Sequence, residues 1–176
     1  MKRDDIQFRD EAPQDQEFLF HLYASTRAQE MALAPWDAAQ TESFLRSQFH
    51  LQAAHYHRYY PEAAFLVIQG GGQPIGRLYV DRRPDEIHIL DIALVPERRG
   101  EGIGTALLKE LLSEAEESGK VVILYVEQFN PAHRLYLRLG FQPVKDEGVY
   151  WMMQWSSGRS GLAKPLASGE AGDSSR

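Results

Sequence analysis

From Gln16 to Tyr60 the apolar residues recur at helical spacing. Phe18, Leu19, Leu22 and Tyr23 form one stripe behind Pro13 and Asp15, and Phe44, Leu45 and Phe49 form another, with Gln48 and Gln52, between Pro35-Trp36-Asp37 and Pro61. Two helices are predicted there, after a short strand over Ile6–Arg9. The pattern then changes period. Ala64–Gln69 and Ile75–Val80 read as strands either side of a Gly70-Gly71-Gly72 turn, and Glu86–Val95 reads as the next strand. Gly100–Gly119 carries Ile103, Leu107, Leu108, Leu111, Leu112 and Ala115, the strongest helical stripe in the chain, with Gly119 placed to end it. Val121–Glu127 is a β-branched run that reads as a buried strand. Asn130-Pro131 opens a further helix, with Asn as cap and Pro at the first helical position, and Ala132, Leu135, Tyr136 and Leu139 lie on its one apolar face. Phe141–Val144 and Val149–Trp155 close the pattern around an Asp146-Glu147-Gly148 turn.

The sum is a mixed α/β or α+β domain with a central sheet, spanning residues 1–155. Residues 156–176 (SSGRSGLAKPLASGEAGDSSR) lose all periodicity and are expected to form a flexible tail. A chain of 176 residues makes one domain, long enough to bury about 70% of its unfolded surface.

Composition narrows the function. The longest apolar run, Val121–Val126, is too short to span a bilayer, and Met1–Glu11 is charged, so neither membrane nor secretory signal is expected and the cytoplasm is the expected compartment. The net charge is -6; the tail carries +1, which leaves -7 on the domain. That balance argues against a nucleic-acid partner. Cysteine is absent, which removes disulfides, thiolate zinc sites and any thiol nucleophile. His55 and His57 stand two apart, so they do not share a helix face, and no third ligand accompanies them; no metal is expected.

The chemistry concentrates between a strand and the strongest helix, over Val95-Pro96-Glu97-Arg98-Arg99-Gly100-Glu101-Gly102-Ile103-Gly104-Thr105. Glycines let a ligand approach the backbone, the first amides of the helix favour an anion, and Arg98 and Arg99 add charged donors. A diphosphate is the natural guest. There is no G-x-x-x-x-G-K-[ST], and Leu107 stands where a G-x-G-x-x-G would end, so neither of those phosphate loops applies.

Arg99-x-x-Gly102-x-Gly104 behind Asp91-Ile92-Ala93-Leu94-Val95-Pro96 resembles the coenzyme A loop of the GNAT (GCN5-related) N-acetyltransferase superfamily. Asn130-Pro131-Ala132, Leu135-Tyr136 and Leu139-Gly140-Phe141 follow at the distance of that family's second motif. The resemblance covers about Ile75–Trp155 well and the helical first third loosely. It implies a mixed central sheet of about six to seven strands flanked by about four helices, with strands splayed before the loop. Acetyl-CoA is the implied co-substrate: its pyrophosphate on Arg99, Gly100, Glu101, Gly102, Ile103, Gly104 and Thr105, its pantetheine arm beside the backbone of Leu94 and Val95, and Asn130 bonding the arm or ordering its wall.

The same resemblance makes Tyr136 the candidate acid. A phenol has a reference pKa of about 10, above a thiol's roughly 8.5, so it stays protonated and can supply the leaving thiolate. Asp91 and His88 are candidate bases, with Glu86 and Glu127 behind them and a water chain as an equal option. Strict alternation along the strand places 86 and 88 on one face and 91 on the other. The acceptor, a small-molecule amine or a peptide, is expected to meet the first third, where Glu30 suits an ammonium and Trp36 offers a ring face; Arg27, Gln48, Tyr56 and Tyr60 are further wall candidates. The expected activity is direct acetyl transfer to a primary amine by a monomer or homodimer. A non-catalytic acyl-CoA sensor and a protein N-terminus or lysine acetyltransferase are the alternatives.

Overall fold

The computed structural model describes residues 5–158. The expected tail lies outside the described residues from position 159 onward. Of its first positions Ser157 is buried, so the packed body reaches past Trp155.

Seven strands, β1 (Ile6–Asp10), β2 (Ala64–Gly70), β3 (Gln73–Arg82), β4 (Glu86–Leu94), β5 (Val121–Glu127), β6 (Gln142–Asp146) and β7 (Tyr150–Trp155), join four helices, α1 (Gln16–Met31), α2 (Ala38–Tyr59), α3 (Ile103–Ser118) and α4 (His133–Arg138). One sheet contains all seven strands in the order β1-β2-β3-β4-β5-β7-β6. Only β4 and β5 run parallel, joined through α3, as a parallel pair requires. Among the described residues no helix is long and apolar enough to cross a membrane.

Local chemistry sets the helix ends. The Asp37 carboxylate accepts from the Gln40 amide at 2.8 Å while the Gln40 side chain returns to the Asp37 amide at 3.0 Å, a capping box that starts α2. Gly119 ends α3 in the left-handed conformation, and the Lys120 amide closes back on the Ala115 carbonyl at 2.8 Å. The cap expected at Asn130 is displaced: Asn130 Oδ1 accepts from the Ala132 amide at 2.9 Å in the preceding turn, and Ala132 is the N-cap of α4, with no side chain capping it. Regular helix begins three residues after Asn130, at His133: the first turn closes by a tighter bond from His133 N–H to the Asn130 carbonyl.

The core is the sheet face under α3 and α4. Val80, Ile87, Ile89, Val122, Leu124 and Val126 meet Leu107, Leu108, Leu111, Leu112 and Ala115, with Phe141 and Met153 sealing the β7 end. On the opposite face α1 and α2 pack together through Leu19, Phe20, Tyr23, Leu45 and Phe49. Phe141, fully buried and edge-on to Tyr136 at 5.7 Å, is the piece of this core nearest the candidate chemistry. Replacing Phe141 by Ala should cost about 3–5 kcal/mol in a denaturant titration. A loss under 1 kcal/mol would show that α4 does not lean on it.

Candidate active site

A single extra residue in β4 builds the site. Pairing between β3 and β4 runs Arg82↔Ile87, Asp81↔His88 and Val80↔Ile89, then resumes at Tyr79↔Asp91, so Leu90 is a β-bulge. Two consequences follow. The bulge resets the alternation: residues paired across the strands share a face, and both partners of His88 and Asp91 lie on the face of Arg77, Tyr79 and Asp81. His88 and Asp91 therefore project to the same side, and the expected opposition between them is overturned. The bulge also coincides with the last β4–β5 pair, Ile89↔Leu124. Beyond it β4 stays on β3 as far as Leu94, and β5 stays on β7. The two strands part, as the resemblance implied.

At the end of the parted stretch lies the glycine loop. Pro96–Arg98 make a 3₁₀ turn, and Gly102 precedes α3 at φ +82°, with no side chain capping the helix. A Cβ built on Gly100 or Gly102 meets nothing within 4 Å. The first-turn amides of α3 are thus left uncapped beside glycines with open space around them, an arrangement an anion can use. Glu101 turns its carboxylate to Arg98 at 2.9 Å, leaving the amides as the loop's anion-facing groups. These features fit a diphosphate.

A cleft of about 770 Å³ runs from this slot under α1 and α2. Tyr136 and Asn130 line it from α4 and its approach, Leu124 and Val126 from β5, and His88, Asp91 and Ile92 from β4. Burial, with the Asp91 charge second, pushes the Tyr136 phenol up to about 12. His88 is buried between Tyr60 (5.4 Å, edge-on) and Tyr125 (5.6 Å), and its Nδ1 has no partner among the described residues. Burial, with the Arg83 charge behind it, holds this ring down to about 4. Asp91 pairs with Arg77, whose guanidinium is itself buried and also donates to Gln52 Oε1 at 2.9 Å. The Tyr56 hydroxyl donates to the Leu90 carbonyl at 3.1 Å, so α2 grips the bulge directly.

Of the expected site residues Tyr136, His88, Asp91 and Asn130 line this cleft; Leu94, Val95 and the loop from Arg99 to Thr105 are outside its lining, and so are the two acceptor candidates. Glu30 is engaged by Arg27 at 2.6 and 2.8 Å, and Trp36 leans on Phe44 with ring centroids 4.9 Å apart. Neither lines the cleft, which takes Tyr23, Thr26 and Arg27 from α1 instead. The spacing of α1 explains this: Tyr23 and Arg27 stand one turn apart, and Arg27 Nη1 donates to the Tyr23 hydroxyl at 3.0 Å. Sequence reasoning missed Arg77, Tyr125 and Tyr150 altogether. Arg77, Tyr79 and Asp81 alternate with Leu78 and Val80, and that period-2 polar face was the available signal. Among the described residues no three His, Asp or Glu side chains are grouped to hold a metal.

Residues 26–141 match the model of the acetyltransferase (GNAT) family. An uncharacterized N-acetyltransferase of Methanocaldococcus jannaschii is 36% identical over 46% of this chain and 40% of its own length. An N-alpha-acetyltransferase of Sulfurisphaera tokodaii is 31% identical over 48% of this chain and 59% of its own. The chain thus matches well under two thirds of these relatives' lengths. Among solved structures, the PaiA N-acetyltransferase of Thermoplasma acidophilum in complex with coenzyme A superposes with a TM-score of 0.64 at 20% identity, over 86% of this chain and 99% of that one. Spermidine N-acetyltransferase from Vibrio cholerae, in complex with CoA and spermine, gives 0.57 at 17% identity, over 88% and 96%. These two likenesses are of fold.

The His88 environment makes stability depend on pH. Unfolded, the ring takes a proton below its usual 6.5; folded, it resists until about 4. The unfolded state binds more protons between those values, so the contribution is complete above pH 6.5 and is lost as pH falls towards 4. Between pH 7 and 4.5 the protein should lose roughly 2 kcal/mol more than its His88→Gln variant in urea titrations. Equal losses would show that the ring titrates normally.

Proposed function

The chain belongs to the acetyltransferase (GNAT) family, and from that premise we propose that it moves an acetyl group directly from acetyl-CoA to a primary amine. The observation that carries this reading is the parted β4–β5 stretch, with the uncapped helix start at Gly102 beyond the end of β4 and Tyr136 in the lining of the cleft. When bound, acetyl-CoA would supply the activated acetyl group. The loop from Arg99 to Thr105 would hold its diphosphate through backbone amides. Leu94 and Val95 would offer the slot their backbone, and Asn130 would order its far wall.

Tyr136 is the proton donor. As the acceptor nitrogen forms its bond to the acetyl carbon and the carbon–sulfur bond breaks, the phenol gives its proton to the sulfur, and it recovers one from the cleft. A phenol held near 12 remains protonated throughout the neutral range, and it yields its proton only as negative charge builds on the departing sulfur. His88, held near 4, is too weak a base to take a proton from an ammonium, so its place is in the acceptor wall. Asp91 and Glu127 flank the cleft with carboxylates that draw in and orient the ammonium, and the proton it must shed goes to water. With no cysteine in the chain, transfer needs no thiol-bound intermediate.

Acceptor class is open to a direct screen. The relatives' names supply two probes: peptides with free N-termini, after the N-alpha-acetyltransferase, and spermidine, after the Vibrio enzyme. Thiol release from acetyl-CoA across such a panel, with mass spectrometry of the product, should reveal an N-acetylated amine. Tight binding of acetyl-CoA without turnover on any amine would instead identify a sensor. Tyr136→Phe should lower turnover about a hundredfold with acetyl-CoA affinity nearly unchanged; an unaltered rate would make Tyr136 a core residue only. Gly102→Glu should abolish coenzyme A binding in a calorimetric titration, and full affinity there would remove the loop from the site.

A further inference from the structure

The side chain of Arg99 bridges the end of β4 and α1. Its Nε donates to the Leu94 carbonyl at 2.8 Å, and its Nη2 donates to Ser25 Oγ, also at 2.8 Å. Ser25 belongs to α1 and passes its own proton to the Leu22 carbonyl at 2.7 Å. The same helix sends Tyr23, Thr26 and Arg27 into the acceptor half of the cleft. One guanidinium thus ties the glycine loop, the end of β4 and the acceptor wall together.

The direction of the Leu94 carbonyl gives this tie its meaning. The Val95 amide donates to the Ile75 carbonyl across β3 at 2.9 Å. In a planar trans peptide the C=O and the following N–H point in opposite directions, so the Leu94 carbonyl points away from β3, toward the side where β5 has parted. Arg99 therefore holds the carbonyl that an arm lying in the slot would meet, and it does so with a charge that stands at the mouth of the anion loop.

We infer that Arg99 is a latch between cofactor and acceptor sites: coenzyme A on the loop draws its guanidinium away from Ser25, and α1 is released to adjust around the acceptor. The inference rests on the coenzyme A reading of the loop. The exchange has a physical drive, because a phosphate offers the guanidinium an opposite charge and two oxygens for a forked bond, whereas the Ser25 hydroxyl offers one neutral acceptor. Ser25 touches neither the loop's amides nor the slot, so it acts only through Arg99 and is a positioning residue. Its contribution is to hold Arg99 back.

A mutant cycle read by calorimetric titration with coenzyme A tests this. Ser25→Ala removes the competing partner and should tighten binding by about tenfold, the lower end of what a hydrogen bond with one charged partner contributes. In an Arg99→Ala background the same change should have no effect, and Ser25→Thr, which keeps the hydroxyl, should restore the original affinity. Ala is also the better helix former, so α1 is expected to survive the change. As a second readout, amide exchange over residues 22–31 should rise when coenzyme A binds the unaltered protein and should already be raised in Ser25→Ala alone. Unchanged or weaker binding in Ser25→Ala, or the same tightening without Arg99, would overturn the latch while leaving the loop assignment intact. Failure of the unaltered protein to bind coenzyme A would overturn that assignment, and the latch with it.

Discussion

The candidate site depends on the extra residue at Leu90. An antiparallel partner tolerates a bulge, since β3 simply loses one step of register and continues. A parallel partner on the other edge does not follow, and β4–β5 pairing ends one residue before the bulge. Past that point β4 keeps hydrogen-bonding groups directed at a strand that has moved to pair with β7. Backbone donors and acceptors left beside a cleft need partners, which is why a slot of this kind suits an amide-bearing ligand arm. The same residue also turns Asp91 to the His88 face. Tyr56 fastens it from above through the Leu90 carbonyl, so the helical first third, which carries no motif, secures the distortion on which the motif-bearing half relies.

For an acidic chain to take the anionic co-substrate proposed for it, it must separate its charges. It does so by occupying its arginines. Arg9 is held by Asp15, Arg27 by Glu30, Arg46 by Glu17 and Glu42, Arg82 by Glu114, and Arg83 by Asp81 and Glu86. Apart from those to the buried Asp15 and Asp81, such surface pairs contribute little stability each, but all of them leave the local field near them close to neutral. Arg99 differs, because both of its bonds go to neutral oxygens. Its charge remains available to the loop, and uncapped helix amides reinforce it. The anion site is thus a local device set against the average charge of the chain.

Much of this was legible in the sequence. Apolar period distinguished the helices from the strands, Gly119 marked a helix end, and the loop glycines together with Asn130 and Tyr136 carried the family resemblance. Those features are local, and short-range sterics and periodicity decide them. What escaped was non-local. A bulge leaves no mark in a run such as Glu86-Ile-His-Ile-Leu-Asp91, because its cause is the competition between two neighbouring strands, so the faces of His88 and Asp91 were assigned wrongly. Arg77 read as an ordinary strand residue until Gln52 from α2 and Asp91 from β4 met it. Glu30 and Trp36 were chosen for chemistry alone, and the packing of α1 placed Tyr23 and Arg27 in the cleft instead.

One cause, burial at the parted strands, acts on Tyr136 and His88 in opposite directions and thereby divides their labour. Desolvation penalises whichever form carries charge. For the phenol that form is the anion, so its proton is held more tightly, to about 12. For the imidazole it is the cation, so its proton is given up, down to about 4. At neutral pH both groups are therefore uncharged, the phenol keeping its proton and the imidazole taking none up. On the proposed reading, an ammonium sheds its proton where water reaches, beside Glu127 and the half-exposed Tyr125 and Tyr150. Asp91, paired with buried Arg77 and acting on the Tyr136 phenol, belongs to the buried end with it. With no single base on the chain in that reading, acceptor basicity governs how readily the neutral nucleophile forms.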